Sequence, residues 1–180
     1  MLVLVNGPPA SGKSTIADAL VATRPLALDL DIDVIRGQLG GWIDDPHAAG
    51  LAARALATSM IRTHLSTGHD VVVPQFLARV DFIVELERIA AECSADFVEI
   101  ALVIGRAEAL AAFETRRGAP AAPTHRDAAQ LIDRSDEPDA LGAMYDRFVD
   151  LLQQRPNARR VPVTRGDVTA TVALVEAHIG

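Results

Sequence analysis

Short apolar runs alternate with longer amphipathic stretches along the whole chain. The apolar runs have the length of β-strands and lie at residues 2–5, 26–30, 71–73, 97–104 and 160–163. Between them, apolar side chains recur every three or four residues, as at Val80, Ile83 and Leu86, which is the spacing of one helix face. This alternation predicts an α/β protein with a five-stranded, mostly parallel sheet that is flanked by helices.

Helices are predicted where the apolar spacing is sustained, at 13–22, 46–67, 79–93, 107–116, 127–132, 139–154 and after Asp167. The segment 118–123 contains two prolines, which deny backbone donors, and we expect it to be irregular. It would form a small lid of about residues 116–127 within a single domain that spans residues 1–180. No repeat or linker divides the chain.

Composition excludes several classes of protein. The 180 residues carry 17 basic and 24 acidic side chains, so the net charge of −7 argues against general binding to nucleic acid or to anionic membranes. The single cysteine, Cys93, excludes an internal disulfide. No apolar run approaches the roughly 20 residues of a membrane span, and the first run leads into a glycine turn rather than a signal-peptide cleavage site. We expect a cytoplasmic protein.

The first turn carries the strongest motif, because the sequence GPPASGKS at 7–14 fits the phosphate-loop pattern G-x-x-x-x-G-K-[ST]. Its glycines let backbone N–H groups turn toward an anion, Lys13 supplies charge to the outer phosphates, and Ser14 offers a hydroxyl ligand to Mg²⁺. Lys13 is the only lysine in the chain. The expected ATP-binding residues here are Gly7, Pro8, Pro9, Ala10, Ser11, Gly12, Lys13, Ser14 and Thr15.

A cluster of acids after the second strand distinguishes a kinase from a nucleotide switch. The third strand ends without an acid and no guanine-specific motif occurs, so a GTPase is disfavoured. If the segment stays extended, Asp29, Asp31 and Asp33 share one face; if it turns helical, Asp33 and Arg36 share one. We predict that Asp31 holds Mg²⁺ with Ser14, and that Asp33 is the general base for an acceptor hydroxyl.

These residues, together with Arg-Arg-Gly at 116–118, resemble small P-loop kinases of the zeta-toxin, chloramphenicol phosphotransferase and 5′-polynucleotide kinase-like group. The resemblance implies a three-layer P-loop NTPase fold with strand order 2-3-1-4-5. It also implies that Asp33 is the base and that Arg36 contacts the substrate. This chain has Gln75 where such polynucleotide kinases often carry an acid, and Gln75 could hydrogen-bond a neutral acceptor.

Arginines around the lid complete the predicted site. We expect Arg117 to act on the transferring phosphoryl group, Arg116 to contact ATP and Arg126 to contact the substrate. After the last strand, Arg165 would stack on the adenine. His125 is interpreted as an exposed loop residue.

The sequence therefore predicts an ATP-dependent kinase that needs Mg²⁺ and phosphorylates a hydroxyl of a small molecule, such as an antibiotic, a nucleoside or a sugar. Two alternatives stay open. One is a polynucleotide 5′-hydroxyl kinase, with nucleic acid as partner. The other is a non-catalytic protein that binds or sequesters a ligand in an ATP-dependent way. The identity of the acceptor and the oligomeric state are left open as well.

Overall fold

The computed structural model describes residues 1–180 and contains a single five-stranded sheet. The strands are β1 (Leu2–Asn6), β2 (Leu28–Asp29), β3 (Val71–Pro74), β4 (Phe97–Val103) and β5 (Arg159–Pro162). Their order is β2-β3-β1-β4-β5, and every pairing is parallel. The predicted α/β architecture and strand order are confirmed, and the sheet is parallel throughout.

Eight helices connect and cover the strands. They are α1 (Lys13–Ala22), α2 (Ile32–Gly37), α3 (Pro46–Ser66), α4 (Val80–Glu92), α5 (Arg106–Gly118), α6 (Pro123–Asp133), α7 (Ala140–Gln154) and α8 (Val168–Ile179). Side-chain caps begin several of them. Asp45 accepts a hydrogen bond from the Ala48 N–H before α3, and Asp167 accepts one from the Ala170 N–H before α8.

The apolar side chains of β1 point alternately to the two faces of the sheet. Leu2 and Leu4 pack on one face under α3 and α4, whereas Val3 and Val5 pack on the other under α1 and α8. Each strand of this kind must be apolar at every position because both faces are buried. The uninterrupted apolar run at the start of the sequence has this cause.

Most predicted boundaries differ from the observed ones by one or more residues, and the differences at β2, β5 and the lid are described here. Strand β2 keeps only two of the five residues predicted for it, since Leu26 adopts a positive φ of 57° that an extended strand does not allow. Strand β5 lies one residue earlier than predicted. The irregular lid segment shrinks to 119–122, because α5 continues to Gly118 and Pro123 occupies the first turn of α6, where a missing N–H costs nothing.

The parallel arrangement brings the carboxyl ends of all strands to one edge of the sheet. The loops after β1, β2 and β3 meet there, and helices α5 and α6 close over the same edge. This edge is where open α/β sheets bind ligands. No helix combines the length and the hydrophobicity that crossing a bilayer requires.

Candidate active site

The phosphate loop folds tightly between β1 and α1. Gly12 has a φ of 91° and Ala10 a φ of 65°, so the chain turns twice through the left-handed region before the helix starts. A Cβ at Gly7 would lie 2.6 Å from the Ser11 Oγ, so only glycine allows this close approach. No side chain caps the start of α1, which leaves its first N–H groups free to meet an anion.

Lys13 lies inside this loop. Its Nζ donates hydrogen bonds to the carbonyl oxygens of Gly7 and Pro8, both at 3.0 Å. Burial, assisted by the positive charge of Arg116, lowers the pKa of Lys13 to about 8. A buried ammonium with a depressed pKa is poised to gain from an anionic partner, because negative phosphate oxygens favour its charged form.

Asn6, which the sequence reading missed, joins the phosphate loop to the loop after β3. Its Oδ1 accepts hydrogen bonds from the Gly7 N–H at 2.8 Å and the Leu77 N–H at 2.9 Å, and its Nδ2 donates to the Leu77 carbonyl at 3.1 Å. Asn6 is completely buried. The signal in the sequence is a single amide that ends an otherwise apolar strand, where a buried polar group needs a structural reason.

The acidic cluster separates into two environments, because helix α2 begins at Ile32. Asp31 caps this helix, with Oδ1 accepting the Asp33 N–H at 2.8 Å, and Asp33 pairs with Arg36 at 2.7 Å. The helical alternative is therefore correct and the extended one is not. Asp31 and Asp33 line the cavity described below, and burial together with the charge of Asp33 raises the pKa of Asp31.

Asp29 lies outside this cavity, at the end of β2. One of its oxygens, Oδ1, is buried without a hydrogen-bond donor. Burial, contact with the carboxyl group of Asp18 and repulsion from that group raise the pKa of Asp29 to about 7. Two carboxyl groups in contact avoid repulsion when they share a proton, and the environment of Asp29 therefore differs from that of the other two acids.

The phosphate loop, the side chains of Asp31 and Asp33, and helices α5 and α6 enclose a cavity of about 470 Å³. Most predicted site residues contribute to its wall, namely Pro9, Ala10, Gly12, Lys13, Ser14, Thr15, Asp31, Asp33, Arg36, Gln75 and Arg116. Phe76, Phe113, Leu131, Ile132 and Met144 add apolar surface. The volume suits a small organic ligand beside phosphate groups. Gly7 and Pro8 reach it only through their carbonyl contacts with Lys13.

Two neighbouring arginines on α5 have different surroundings. Arg116 lines the cavity, lies 5.4 Å from the centroid of the Phe113 ring and has no carboxylate within 4.0 Å, and burial lowers its pKa. Arg117 points away and pairs with Asp133 at 2.7 Å and with Glu114 at 3.8 Å. Arg117 is therefore not brought to the cavity, because the helix turns it about 100° from its neighbour. Arg126 is exposed and also lies outside the lining.

His125 was expected on an exposed loop, but it lies in the first turn of α6 and lines the cavity. Its Nδ1 is buried without a hydrogen-bond partner. Burial and the charge of Arg116 lower the pKa of His125, so the imidazole is neutral at pH 7. Gln75 likewise lies in the wall with its Oε1 buried and unpartnered. These two side chains offer polar atoms to a ligand.

A smaller cavity of about 140 Å³ lies on the other side of the phosphate loop. Arg165 and Ser11 line it, and it shares Ala10, Gly12 and Thr15 with the larger cavity. An elongated ligand held at the start of α1 would reach both cavities. The predicted position of Arg165 beside the base of a nucleotide is compatible with this arrangement.

Comparison of the sequence with models of known protein families gives one match. An AAA domain family matches residues 2–138. The chain belongs to this AAA domain family. No curated protein sequence matches it significantly.

Solved structures of similar fold are P-loop kinases and related proteins. A candidate kinase from Chloroflexus aurantiacus has 21% sequence identity and a TM-score of 0.68, with 99% of this chain and 98% of that chain covered. The tunicamycin resistance protein of Deinococcus radiodurans has 13% identity and a TM-score of 0.61, with coverage of 99% and 95%. A gluconokinase from Sinorhizobium meliloti has 16% identity and a TM-score of 0.54, with coverage of 98% and 94%. The AAA domain member described here thus has the small P-loop kinase fold over its whole length.

Proposed function

We propose that this protein is an ATP-dependent phosphotransferase that moves the γ-phosphoryl group of ATP to a hydroxyl group of a small molecule. One observation carries the proposal. A carboxylate, Asp33, lines the same cavity as the phosphate-loop lysine and the acid-free guanidinium of Arg116. A phosphoryl donor site, a base and a cation for the transferring group are the parts that phosphoryl transfer to an alcohol requires.

The nucleotide binds along the phosphate loop. The ammonium group of Lys13 turns from the Gly7 and Pro8 carbonyl groups to the β- and γ-phosphates, and the free N–H groups at the start of α1 complete their coordination. The adenine base of the nucleotide would lie in the smaller cavity beside Arg165. We place this reaction in the cytoplasm, where ATP is abundant and where a chain with one unpaired cysteine suits reducing conditions.

Magnesium fits the side chains of Ser14 and Asp31, which both line the larger cavity. A hydroxyl and a carboxylate are the hard oxygen donors that this ion prefers, with phosphates and water as its other ligands. The raised pKa of Asp31 reflects a buried negative charge that a nearby cation would stabilise. Ser14 and Asp31 would hold the ion directly or through water, and bound Mg²⁺ neutralises charge on the phosphate oxygens.

Asp33 moves the proton in the transfer step. Arg36 holds the Oδ1 atom of Asp33 at 2.7 Å, whereas Oδ2 makes no hydrogen bond within the protein. Oδ2 accepts the proton of the acceptor hydroxyl while the acceptor oxygen forms a bond to the γ-phosphorus. The bond from that phosphorus to the β–γ bridging oxygen breaks, and ADP leaves with the electron pair.

Arg116, rather than the Arg117 of the sequence prediction, stabilises the charge on the transferring group. Arg116 lies in the cavity without an acidic partner, so its charge is available to a phosphoryl group. The apolar side chains of Phe76, Phe113 and Met144 exclude water from the same space. Excluding water limits hydrolysis of ATP in the absence of acceptor.

The test is transfer from γ-labelled ATP with Mg²⁺ to a panel of nucleosides, sugars, hydroxylated antibiotics and oligonucleotides. We expect a labelled small-molecule product, and we expect Asp33→Asn to reduce its rate by about 10²- to 10⁴-fold while ATP still binds. Asp81→Asn is the matched control, since this exposed acid lies outside the cavity and pairs only with Arg79.

Three other results would contradict the proposed function or change it. Product from oligonucleotides alone, with a steep dependence on salt, would identify a polynucleotide kinase. Loss of ATP binding in Asp33→Asn would assign this residue a structural role. ATP binding with no product from any acceptor would favour a ligand-binding protein over an enzyme.

A further inference from the structure

One cation in the larger cavity is not used by the reaction described above. Arg54 lines this cavity but has no carboxylate within 4.0 Å. The chain carries 24 acidic side chains against 17 basic ones, so acids to neutralise it are not scarce. An arginine that faces a cavity without an acid has its charge and its donors available to a ligand.

Arg54 lies on the acceptor side of the cavity. It belongs to α3, and α3 packs against α2, which carries Asp33 and Arg36. The guanidinium carbon of Arg54 lies 5.2 Å from the centroid of the Phe82 ring, within the range of a cation–π contact. This contact orients the guanidinium while leaving its N–H groups free, so the side chain is placed without being neutralised.

A second arginine that lines the cavity, Arg36 on the neighbouring helix α2, also retains a free donor. Arg36 binds Asp33 through NH1, and its guanidinium lies 5.0 Å from the centroid of the Trp42 ring. Its Nε is buried and has no hydrogen-bond partner. A buried N–H without an acceptor costs free energy, so an acceptor atom supplied by a ligand would be stabilising there.

The rest of the cavity wall supplies no competing negative charge. Asp31 and Asp33 are the only acids that line it, and both are assigned to phosphoryl transfer. Gln75, Thr124 and His125 are polar and uncharged at pH 7, and Phe76, Leu131, Ile132 and Met144 add apolar surface. The acceptor side therefore combines an apolar body with cationic donors at one end.

We infer that the small-molecule acceptor carries an anionic group, a carboxylate or a phosphate, which Arg54 binds, with the Nε of Arg36 as a second donor. This inference rests on the proposed function, since it concerns the acceptor of the same site. The anion fixes one end of the acceptor on α3, so that a hydroxyl at the other end is held toward Asp33. Charge-assisted hydrogen bonds of this kind are the strong ones in recognition.

Matched pairs of hydroxylated compounds test the inference by binding. The pairs are D-gluconate with D-glucose, D-glycerate with glycerol, and adenosine 3′-monophosphate with adenosine, so the carboxylate and phosphate arms are separate. Dissociation constants are measured by calorimetry on the full chain with Mg²⁺ and a non-hydrolysable ATP analogue. In at least one pair we expect the anionic member to bind about 10- to 100-fold more tightly.

Substitutions then assign that preference to Arg54. Arg54→Gln should reduce the ratio within the pair to near one by weakening only the anionic member, and Arg54→Lys should keep part of it. Arg159→Gln is the control, because this exposed arginine of β5 also lacks an acidic partner but lies outside both cavities. Equal or absent binding of both members in all three pairs, or a preference that survives Arg54→Gln, overturns the inference.

Transfer assays on the same pairs separate the two proposals. Phosphorylation of neutral members as efficiently as anionic ones would overturn this inference and leave the kinase intact. Binding of an anionic member that depends on Arg54, with no phosphorylated product, would support this inference and contradict the proposed reaction.

Discussion

The floor and the outer wall of the larger cavity are built in different ways. The floor comes from one contiguous segment, in which Pro9, Ala10, Gly12, Lys13, Ser14 and Thr15 line the cavity and present backbone N–H groups and a single lysine. The wall is assembled from side chains that are far apart in sequence, such as Asp33 on α2, Gln75 after β3 and His125 on α6. A loop defined by its own backbone tolerates little variation, whereas a wall of separate side chains can change one residue at a time. The proposed function would thus assign the nucleotide to the floor and the choice of acceptor to the wall.

Lys13→Ala should have the largest effect, because it removes the only ammonium from the floor. We expect kcat to fall by about 10²- to 10³-fold, as for loss of one donor to the transition state. The loss should be equal for every acceptor, since the proposed function assigns the floor to the nucleotide and the wall to the acceptor. Transfer rates with two chemically different acceptors measure this. A loss that differs strongly between them would contradict the separation of floor and wall.

Arg116→Gln and Arg117→Gln compare two adjacent residues that differ in orientation. Arg116→Gln should lower kcat by about 10²-fold, because its charge in the cavity has no acidic partner to neutralise it. Arg117→Gln should leave kcat within about threefold, since it breaks only two exposed ion pairs, each worth about 1 kcal/mol or less. Steady-state kinetics decides between them. The reverse order would restore the sequence prediction for Arg117.

His125→Ala should raise the KM of the acceptor by about 2- to 10-fold, the cost of one neutral hydrogen bond, and His125→Gln should restore much of the loss. The pKa of His125 lies below its ordinary value, so the neutral form prevails at pH 7. As the pH falls below that pKa, a second positive charge forms beside Arg116. The wild-type KM, divided by that of His125→Gln, should therefore change as the pH falls through the lowered pKa of His125. A flat ratio would contradict a contact between His125 and the acceptor.

Asp29→Asn should have the smallest effect and should act on stability alone. Folding raises the pKa of Asp29 to about 7, so the native state binds the proton more tightly than the unfolded state. The native state consequently loses stability as the pH rises from about 4 to about 7. At pH 8 the asparagine variant should unfold about 2–4 °C higher, and at pH 4 the two should coincide. Thermal unfolding monitored by circular dichroism tests this, and a difference that is the same at both pH values would argue against a titrating pair.

Much of the fold and of the floor was predictable from the sequence. Strands buried on both faces are apolar at every position, and the phosphate loop needs glycine where φ is positive, so both leave local signals. The pairing of Asp33 with Arg36 was also predictable, because residues three positions apart on a helix lie on the same face.

The wall was less predictable, because it depends on tertiary packing. The neighbouring sequence does not indicate which of Arg116 and Arg117 faces the cavity. The rotation of helix α5 and the position of Asp133 decide it. His125 and Arg54 have no motif around them, and their role follows from elements that meet in space. Asn6 acts on Leu77, which lies 71 positions away in the chain.

Because Lys13 is the only lysine in the chain, the rate of proteolysis after lysine can report whether a ligand occupies the phosphate loop. An endoproteinase that cleaves after lysine has one bond to cut, Lys13–Ser14, and that bond lies at the start of α1. Cleavage requires this segment to open, since Lys13 is half-buried in the first turn of α1 and its Nζ is bound to two carbonyl groups. A nucleotide that holds the loop closed should slow the appearance of a fragment spanning residues 14–180. Survival of the intact chain thus measures nucleotide affinity before any acceptor is known.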